Sequence, residues 1–315
     1  MKENKIHEPP LAGKPSAGPI SRRRFLKLSA TGAAVGSVGL FRQGIGREAE
    51  GRVSFGLVTD VHYADHDPRG NRHYRDSVTK LAEAVGLFNR RKLPFAVELG
   101  DLIDSAPSKA EELGYLHRIR DTYQGFKGDR HFVLGNHCVA ALTKDEFLAN
   151  CGARIKQTYY SFDHGPFDHD PFHFVVLDGN FNKDGSPYAA GKFNWTDTWI
   201  HPPQQEWLAK DLKEASGKKT VVFVHQNLDK EKSPLGVKNG GRVREILEAS
   251  GNVLAVFQGH HHAGGYARIK GIHYVTLKAT VTGPAPANKA YSVVTLDSTG
   301  RIQLEGFGQE ESRTL

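Results

Sequence analysis

The feature that most constrains the fold of this chain is a repeated pattern in which a short apolar segment ends directly in polar residues. The pattern occurs five times before residue 263. The polar groups are Asp60-Val-His62, Gly100-Asp-Leu-Ile-Asp104, Gly135-Asn-His137, His225 and Gly259-His-His-His262. Short apolar segments bounded by turn residues are typical of buried strands. The sequence therefore predicts strands that each deliver polar side chains at the same end.

The segments between these groups predict an α/β domain. Apolar residues recur at intervals of three or four between the first two strands, which indicates a helix. Strands that alternate with helices favour a parallel sheet. The predicted strands are 55–59, 95–99, 131–134, 159–162, 172–178, 220–224 and 253–258, and the predicted helices are 74–91, 109–123, 203–215 and 240–249. After residue 260, alternating segments separated by glycines (265–269, 272–277, 290–297 and 301–307) predict an antiparallel meander.

The position of the polar groups predicts a ligand site. In open α/β sheets the carboxyl ends of the strands meet at one edge, where ligands bind. Imidazole and carboxylate groups suit first-row divalent metals. A carboxylate such as Asp101 can bridge two cations, and two ions about 3.5–4 Å apart can clamp the oxygens of a phosphoryl displacement. Each group alone has a structural explanation, as a core or solvated residue, but five in this order predict a dinuclear metal site.

The charge of the chain does not favour a nucleic-acid partner. The formal net charge is +7, but residues 1–50 alone contribute +5 of it. Residues 51–315 carry 33 basic and 31 acidic residues, which is close to neutral. Tight binding of a polyanion needs clustered basic side chains. We therefore expect a small-molecule substrate and no nucleic acid.

The first 50 residues have the features of an export signal. The string Ser21-Arg-Arg-Arg-Phe-Leu-Lys27 precedes a mildly apolar run over 28–40, which is too short to span ~30 Å of hydrocarbon. It resembles a twin-arginine signal, which a translocase reads as an address. An uncleaved amphipathic anchor or a chance basic run is the alternative. We expect a leader over 1–50, a folded domain over 51–315, and a periplasmic or extracellular location, where Cys138 and Cys151 could pair.

The ordered motifs resemble those of the calcineurin-like metallophosphoesterases. The resemblance covers residues 60–262 and implies a four-layer α/β/β/α sandwich with two central mixed sheets. It also implies two divalent ions, with manganese favoured over iron, zinc, cobalt or magnesium. By this resemblance the first ion is held by Asp60, His62, Asp101 and His262, and the second by Asp101, Asn136, His225 and His260.

The resemblance further assigns catalytic roles to two residues that do not bind metal. His137 would stabilise the transition state and protonate the leaving oxygen, and Asp104 would hydrogen-bond to His137 and orient it. A metal-bridging hydroxide would attack phosphorus in line. Purple acid phosphatases look similar, but they carry tyrosine where Asp104 stands and no histidine at the place of His62. No tyrosinate–iron centre is therefore expected.

A narrower resemblance is to the manganese-dependent ADP-ribose/CDP-alcohol diphosphatases. It spreads over most of 53–310 and is carried by Asp60-Val-His-Tyr-Ala-Asp65, Arg72-His-Tyr-Arg-Asp-Ser77, Leu99-Gly-Asp-Leu-Ile-Asp104, Tyr159-Tyr-Ser-Phe162, Gly259-His-His-His-Ala-Gly-Gly-Tyr266, Gly271-Ile-His-Tyr-Val-Thr-Leu277, Gly283-Pro-Ala-Pro286 and Gly306-Phe-Gly308. Members of this branch usually have glutamine where His62 stands, and glutamate where Cys138 stands.

This branch implies hydrolysis of a phosphoanhydride or phosphoester bond in a nucleotide-like or small phosphorylated substrate. Tyr63 could then stack on a base, and Arg72 or Arg75 could bind phosphate, although packing or a solvated helix start explains all three equally well. The alternatives for the whole protein are a general exported phosphomonoesterase or phosphodiesterase, similar to an alkaline phosphatase, and a non-catalytic protein that binds metal or phosphate.

Overall fold

The computed structural model of this protein describes residues 51–154, 156–165 and 172–315. The twin-arginine-like string and the rest of the predicted leader lie outside these residues. The strands are β1 (Arg52–Val58), β2 (Phe95–Glu98), β3 (Asp129–Phe132), β4 (Tyr160–His164), β5 (Phe172–Val176), β6 (Lys219–Val224), β7 (Val253–Gln258), β8 (Ala263–Ile269), β9 (Ile272–Lys278), β10 (Ala290–Asp297), β11 (Ile302–Gly308) and β12 (Arg313–Thr314). The α-helices are α1 (Ser77–Arg90), α2 (Lys109–Gln124), α3 (Lys144–Asn150), α4 (Pro202–Glu214) and α5 (Gly240–Ser250).

The strands form two six-stranded mixed sheets. The first sheet has the order β12-β11-β10-β1-β2-β3, in which β1, β2 and β3 are parallel and β10 lies antiparallel to β1. The second has the order β4-β5-β6-β7-β9-β8, in which β5, β6, β7 and β9 are parallel. The first sheet therefore has three parallel strands on one side, and the second has four parallel strands at its centre, as the alternation of strands and helices predicted.

Three layers of apolar contact join two sheets and two groups of helices. Between the sheets, Phe55 stacks on Phe95 with ring centroids 4.9 Å apart and meets Phe174 edge-on at 5.5 Å. Helices α1, α2 and α3 pack on the outer face of the first sheet, and α4 and α5 on that of the second. The arrangement is the predicted α/β/β/α sandwich.

The predicted C-terminal meander is wrong in its pairing. The hairpin β8–β9 belongs to the second sheet, where β9 lies parallel to β7. The hairpin β10–β11 belongs to the first sheet, beside β1. The physical reason is burial. The residues in the middle of β9, Tyr274 to Leu277, are buried, and buried backbone groups need hydrogen-bond partners. Strand β9 finds these partners in β7 on one edge and β8 on the other. The alternation pattern predicts strands but does not say which sheet each one joins.

Two local differences lie near the third strand. Strand β3 begins and ends two residues before its predicted bounds, and the next link to the sheet is the Val133 N–H donating to the Glu98 carbonyl at 2.8 Å. Helix α3 was not predicted, although Thr143 and Glu146 form a capping box at its start.

Cys138 and Cys151 are both buried free thiols. Among the residues that the structure describes, no helix is long and apolar enough to cross a membrane.

Candidate metal centre

The predicted site residues follow the carboxyl ends of five parallel strands. Asp60, Asp101 and Asn136 come after β1, β2 and β3 of the first sheet, whereas His225 and His260 come after β6 and β7 of the second. All five are at least nine-tenths buried. The two sheets therefore deliver their polar strand ends to one shared, enclosed place.

The backbone at this place is held in an uncommon conformation. Four predicted ligands adopt positive φ: Asp60 (49°), His62 (44°), Asp101 (58°) and His260 (66°). For residues other than glycine this region costs free energy and is concentrated at functional sites. Cross-links between the turns maintain it, since the Asp60 N–H donates to the Gly100 carbonyl at 3.0 Å and the His62 N–H donates to the Asp101 carbonyl at 2.8 Å.

Glycines allow these turns to approach one another. A Cβ at Gly135 would lie 2.1 Å from Asp101 Oδ1, and one at Gly100 would lie 2.5 Å from His225 Nδ1. Gly100 also has a φ of +104°, which other residues rarely adopt. The Gly-Asp and Gly-Asn dipeptides are therefore required by close packing around Asp101 itself.

The first group of ligand atoms comprises Asp60, His62 and His262. The Nε2 atoms of the two histidines face each other at 3.1 Å. Asp60 Oδ1 lies 3.3 Å from His262 Nε2 and 3.6 Å from His62 Nε2. The three ligand atoms all lie within 4.8 Å of one another, which is the spacing of atoms that share one cation.

The second group comprises Asp101, His225 and His260, whose ligand atoms also lie within 4.8 Å of one another. Asp101 Oδ2 is 3.1 Å from His225 Nε2 and 3.6 Å from His62 Nε2 of the first group. Asp101 therefore stands between the two groups. This is the position that a bridging carboxylate occupies.

Buried polar atoms that lack a hydrogen-bond partner show whether these side chains fit metal ions, because a bound ion would satisfy such atoms. Buried side-chain atoms of the site that have no hydrogen-bond partner among the described residues include Asp60 Oδ1, Asn136 Oδ1, His225 Nε2 and His260 Nε2. A buried polar atom without a partner costs about 1–3 kcal/mol. Since His225 Nδ1 lies 2.9 Å from the Leu99 carbonyl, that nitrogen carries the proton and Nε2 offers its lone pair to the site. The residues present fit two divalent ions held by nitrogen and oxygen.

The electrostatics of the site favour cation binding. Burial alone would raise the pKa of Asp60, but the neighbouring His262 and His62 side chains outweigh it and hold this pKa well below its ordinary value. Burial would also raise the pKa of Asp101, but the charges of His225 and His137 keep it low. Both groups are thus carboxylates, the form that binds metal.

The two buried histidines of the second group differ in protonation. Burial lowers the pKa of His260, and the charge of His225 lowers it further, to about 3. Burial would lower the pKa of His225 as well, but Asp101 overcomes this effect and raises it to about 9. Because a metal ion binds neutral imidazole, an ion held by this group would displace the proton from His225 Nε2.

His137 and Asp104 form a pair at the edge of the metal-binding groups. His137 Nδ1 lies 2.8 Å from Asp104 Oδ1, and the His137 backbone N–H donates to Asp101 Oδ1 at 2.8 Å. The His137 side chain is 24% exposed, so its Nε2 can meet a substrate. Burial would raise the pKa of Asp104, but hydrogen bonds from His137 and His62 hold it far below its ordinary value. Asp104 is therefore an ionised acceptor that fixes the His137 ring.

The three predicted substrate contacts have different positions. Arg72 joins the site, because its Nη1 donates to Asp104 Oδ2 at 3.0 Å. Tyr63 does not suit base stacking: it is 8% exposed, forms a β-bridge with Ile103 and packs edge-on against Tyr115. Arg75 is held on the surface by Asp65 and Asp67, at 2.6 and 2.7 Å. The structure therefore does not support base stacking by Tyr63 or phosphate binding by Arg75, because Tyr63 is buried and Arg75 is paired with two carboxylates.

Sequence reasoning missed a buried lysine that supports the site. Lys80 Nζ donates to the carbonyls of Thr280, Thr282 and Gly283 at 2.9, 3.1 and 2.6 Å. Burial lowers the pKa of Lys80 to about 8. The clamped segment contacts the first group, because the Val281 N–H donates to the Asp60 carbonyl at 3.0 Å. The available signal was a lysine on the apolar face of the predicted helix.

Comparisons with known proteins agree with this geometry. Residues 53–264 match the family model described as "Calcineurin-like phosphoesterase". The chain is 27% identical to the manganese-dependent ADP-ribose/CDP-alcohol diphosphatase of Arabidopsis thaliana, with 81% of this chain and 96% of the relative covered. It is 24% identical to the human protein of that name, with 85% and 93% covered.

A solved structure supports the fold. The structure described as a dimetal phosphatase from Danio rerio superposes with a TM-score of 0.72 at 22% identity, and the match covers 84% of this chain and 99% of the other. The family model spans both metal-binding groups, from the turn after β1 to the turn after β7. The chain belongs to the calcineurin-like phosphoesterase family and is a metal-dependent hydrolase of phosphoester bonds.

Proposed function

We propose that this protein uses two divalent ions, with manganese favoured, to hydrolyse the phosphoanhydride bond of a nucleotide-like diphosphate. The observation that carries the proposal is that the two groups adjoin at Asp101, whose Oδ2 lies 3.1 Å from His225 Nε2 of the second group and 3.6 Å from His62 Nε2 of the first. His137 and Asp104 lie beside them. The curated relatives named above are manganese-dependent diphosphatases of ADP-ribose and CDP-alcohols, which favours this substrate class over simple phosphomonoesters.

The mechanism follows from the residues around these groups. Asp60, His62, Asp101 and His262 would hold one ion, and Asn136, His225 and His260 would hold the other together with Asp101. Ions held there supply Lewis acidity for the phosphoryl oxygens and lower the pKa of attacking water.

The protein's own groups complete the reaction. Asp104 Oδ1 lies 2.8 Å from His137 Nδ1 and fixes the ring, so that His137 in its imidazolium form would offer the Nε2 proton to the leaving oxygen and end as the neutral imidazole. Arg72 lies on the other oxygen of Asp104 and brings a permanent positive charge to the same edge, where it can attract a substrate phosphate.

The test is a substrate panel on metal-free full-length protein reconstituted with Mn²⁺. ADP-ribose, CDP-choline, bis-p-nitrophenyl phosphate and p-nitrophenyl phosphate are assayed in parallel. The proposal expects the first two to have the highest kcat/KM. Asp101→Asn should abolish turnover, whereas the control Asp121→Asn, which changes an exposed carboxylate beside Arg120, should not.

Two other outcomes would replace this proposal. Preference for the nitrophenyl esters would indicate a general phosphatase or phosphodiesterase. No turnover with Mn²⁺, Fe²⁺, Zn²⁺, Co²⁺ or Mg²⁺ would indicate a binding protein. The His137–Asp104 pair favours an enzyme, because metal or phosphate binding alone requires neither residue.

We further propose export by the twin-arginine route. The support is the string Ser21-Arg-Arg-Arg-Phe-Leu-Lys27, in which Arg22 and Arg23 match the paired arginines of such signals and Arg24 fills the variable place. In a bacterial host with this translocase, lysine at both Arg22 and Arg23 should retain the protein in the cytoplasm, whereas Arg24→Lys should not. Equal export of both variants would contradict the proposal.

A further inference from the structure

An exposed tryptophan stands beside the second metal-binding group. Trp195 is 45% exposed, and its ring centroid lies 5.8 Å from that of His260, with the ring planes at 74°. Tyr266, the other large and strongly exposed aromatic among the described residues, is already engaged: its ring stacks on His273 and lies under Arg313. Trp195 thus presents a large apolar surface to solvent at the edge of a polar, buried site.

The loop that carries Trp195 is fixed on both sides of it. Asn194 Oδ1 accepts hydrogen bonds from the Thr196 N–H at 3.1 Å and the Thr196 hydroxyl at 2.8 Å. The hydroxyl of the buried Tyr188 donates to the Asn194 carbonyl at 2.8 Å, and the Tyr188 ring stacks on Phe193 at 4.2 Å. The backbone that carries Trp195 is therefore anchored to the core, and the indole itself packs edge-on against His260.

The two metal-binding groups have unlike surroundings. His260 of the second group meets the Trp195 ring, whereas His262 of the first group lines an open cavity of about 720 Å³ whose other lining includes Asn71, Lys278 and Gln309. One flank is aromatic, and the other offers amides and an ammonium group. A substrate that spans the site should have one aromatic end and one hydroxyl-rich or charged end.

We propose that Trp195 is the stacking platform for the nucleobase of the substrate, with the base on the His260 side and the second phosphorylated moiety on the His262 side. The inference rests on the proposed function and names the end of the substrate that this chain recognises. An indole face stacks on any base, because every base has a π-face. The platform therefore distinguishes nucleotides from base-free phosphates, but it does not distinguish adenine from cytosine.

The test compares product binding with and without a base. AMP, CMP and ribose 5-phosphate are measured as inhibitors of bis-p-nitrophenyl phosphate hydrolysis by the manganese-loaded protein. Stacking is worth about 1–3 kcal/mol per base, or ~5-fold to ~150-fold in affinity. Trp195→Ala should raise the Ki of AMP and CMP by a factor in this range and leave the Ki of ribose 5-phosphate unchanged. Trp195→Phe, the matched control, keeps an aromatic ring and should have Ki values for AMP and CMP close to those of the native protein.

Fluorescence gives a second readout that does not depend on turnover. Trp195 is one of three tryptophans in the chain. AMP should quench part of the tryptophan emission of the native protein, whereas ribose 5-phosphate should not. In Trp195→Phe the quenching by AMP should be absent. The inference is overturned if Trp195→Ala leaves the Ki of AMP unchanged, or if it raises the Ki values of AMP and ribose 5-phosphate equally. Quenching without turnover would keep the inference and overturn only the proposed hydrolysis.

Discussion

Replacement of Asp104 by asparagine probes the catalytic pair with little change of shape. Asp104 Oδ1 holds His137 Nδ1 at 2.8 Å, and Oδ2 accepts from Arg72 at 3.0 Å. An amide keeps the size of the side chain but loses the charge that orients the imidazole. General acid catalysis contributes about 10²–10⁴-fold, which is roughly 3–5 kcal/mol at 1.36 kcal/mol per tenfold. We expect kcat to fall by this factor.

The assay separates acid catalysis from metal loss by changing the leaving group. p-Nitrophenolate leaves without a proton, whereas glycerol needs one, so the two are compared as phosphomonoesters. Asp104→Asn should lower kcat by about 10²–10⁴-fold for glycerol 2-phosphate and by much less for p-nitrophenyl phosphate. Manganese content is measured on the same samples, because Asp104 Oδ2 also lies 3.4 Å from His62 Nδ1.

A double variant tests whether the two residues act as one unit. If Asp104 works through His137, adding Asp104→Asn to His137→Ala should cost little more than His137→Ala alone. The reasoning is refuted if the two single losses add in full, or if both esters lose activity equally while the manganese content is unchanged.

Two further predictions concern stability. Burial lowers the pKa of His173, but hydrogen bonds with Asp211 and Asp163 outweigh this effect and raise it above its ordinary value. Protonated His173 therefore stabilises the fold. This contribution is complete below about pH 6.5, the pKa of an unfolded histidine, and is lost as the pH rises through the pKa of the folded protein. His173→Gln should thus cost roughly 2 kcal/mol at pH 6 and less at pH 9 in urea unfolding, and a gap that grows with pH would contradict the assignment. Lys80→Met leaves three buried carbonyls without their donor and should cost roughly 2–4 kcal/mol; it should also weaken Mn²⁺ binding measured by calorimetry, and unchanged affinity would show that the segment at 280–283 does not position Asp60.

The sequence predicted those parts of the structure that depend on local pattern. Apolar runs predicted the parallel strands of both sheets. Because the carboxyl ends of such strands meet at one edge, residues as distant in the chain as Asp60 and His262 were expected to lie close together. The structure brings six of the seven predicted ligands into two adjoining groups, and Asn136 follows the end of β3 beside them. It also places His137 against Asp104, a contact that only the family resemblance had implied.

Parts that depend on long-range pairing could not be predicted in this way. The choice of sheet for β9 and β10 is set by burial against neighbours far along the chain. Tyr63 looked available because its position beside Asp60-Val-His62 says nothing about its burial and its packing against Tyr115. The contact between Trp195 and His260 joins two segments that no local pattern connects.

The most direct test of the account is the number of manganese ions that one chain binds. Metal-free protein is titrated with Mn²⁺, and bound metal is counted by elemental analysis together with electron paramagnetic resonance. The account predicts two ions per chain, magnetically coupled because Asp101 stands between them, and Asp101→Asn should lose the coupling. Saturation at one ion, or two ions whose coupling survives Asp101→Asn, would contradict the shared-carboxylate centre on which the proposed chemistry depends.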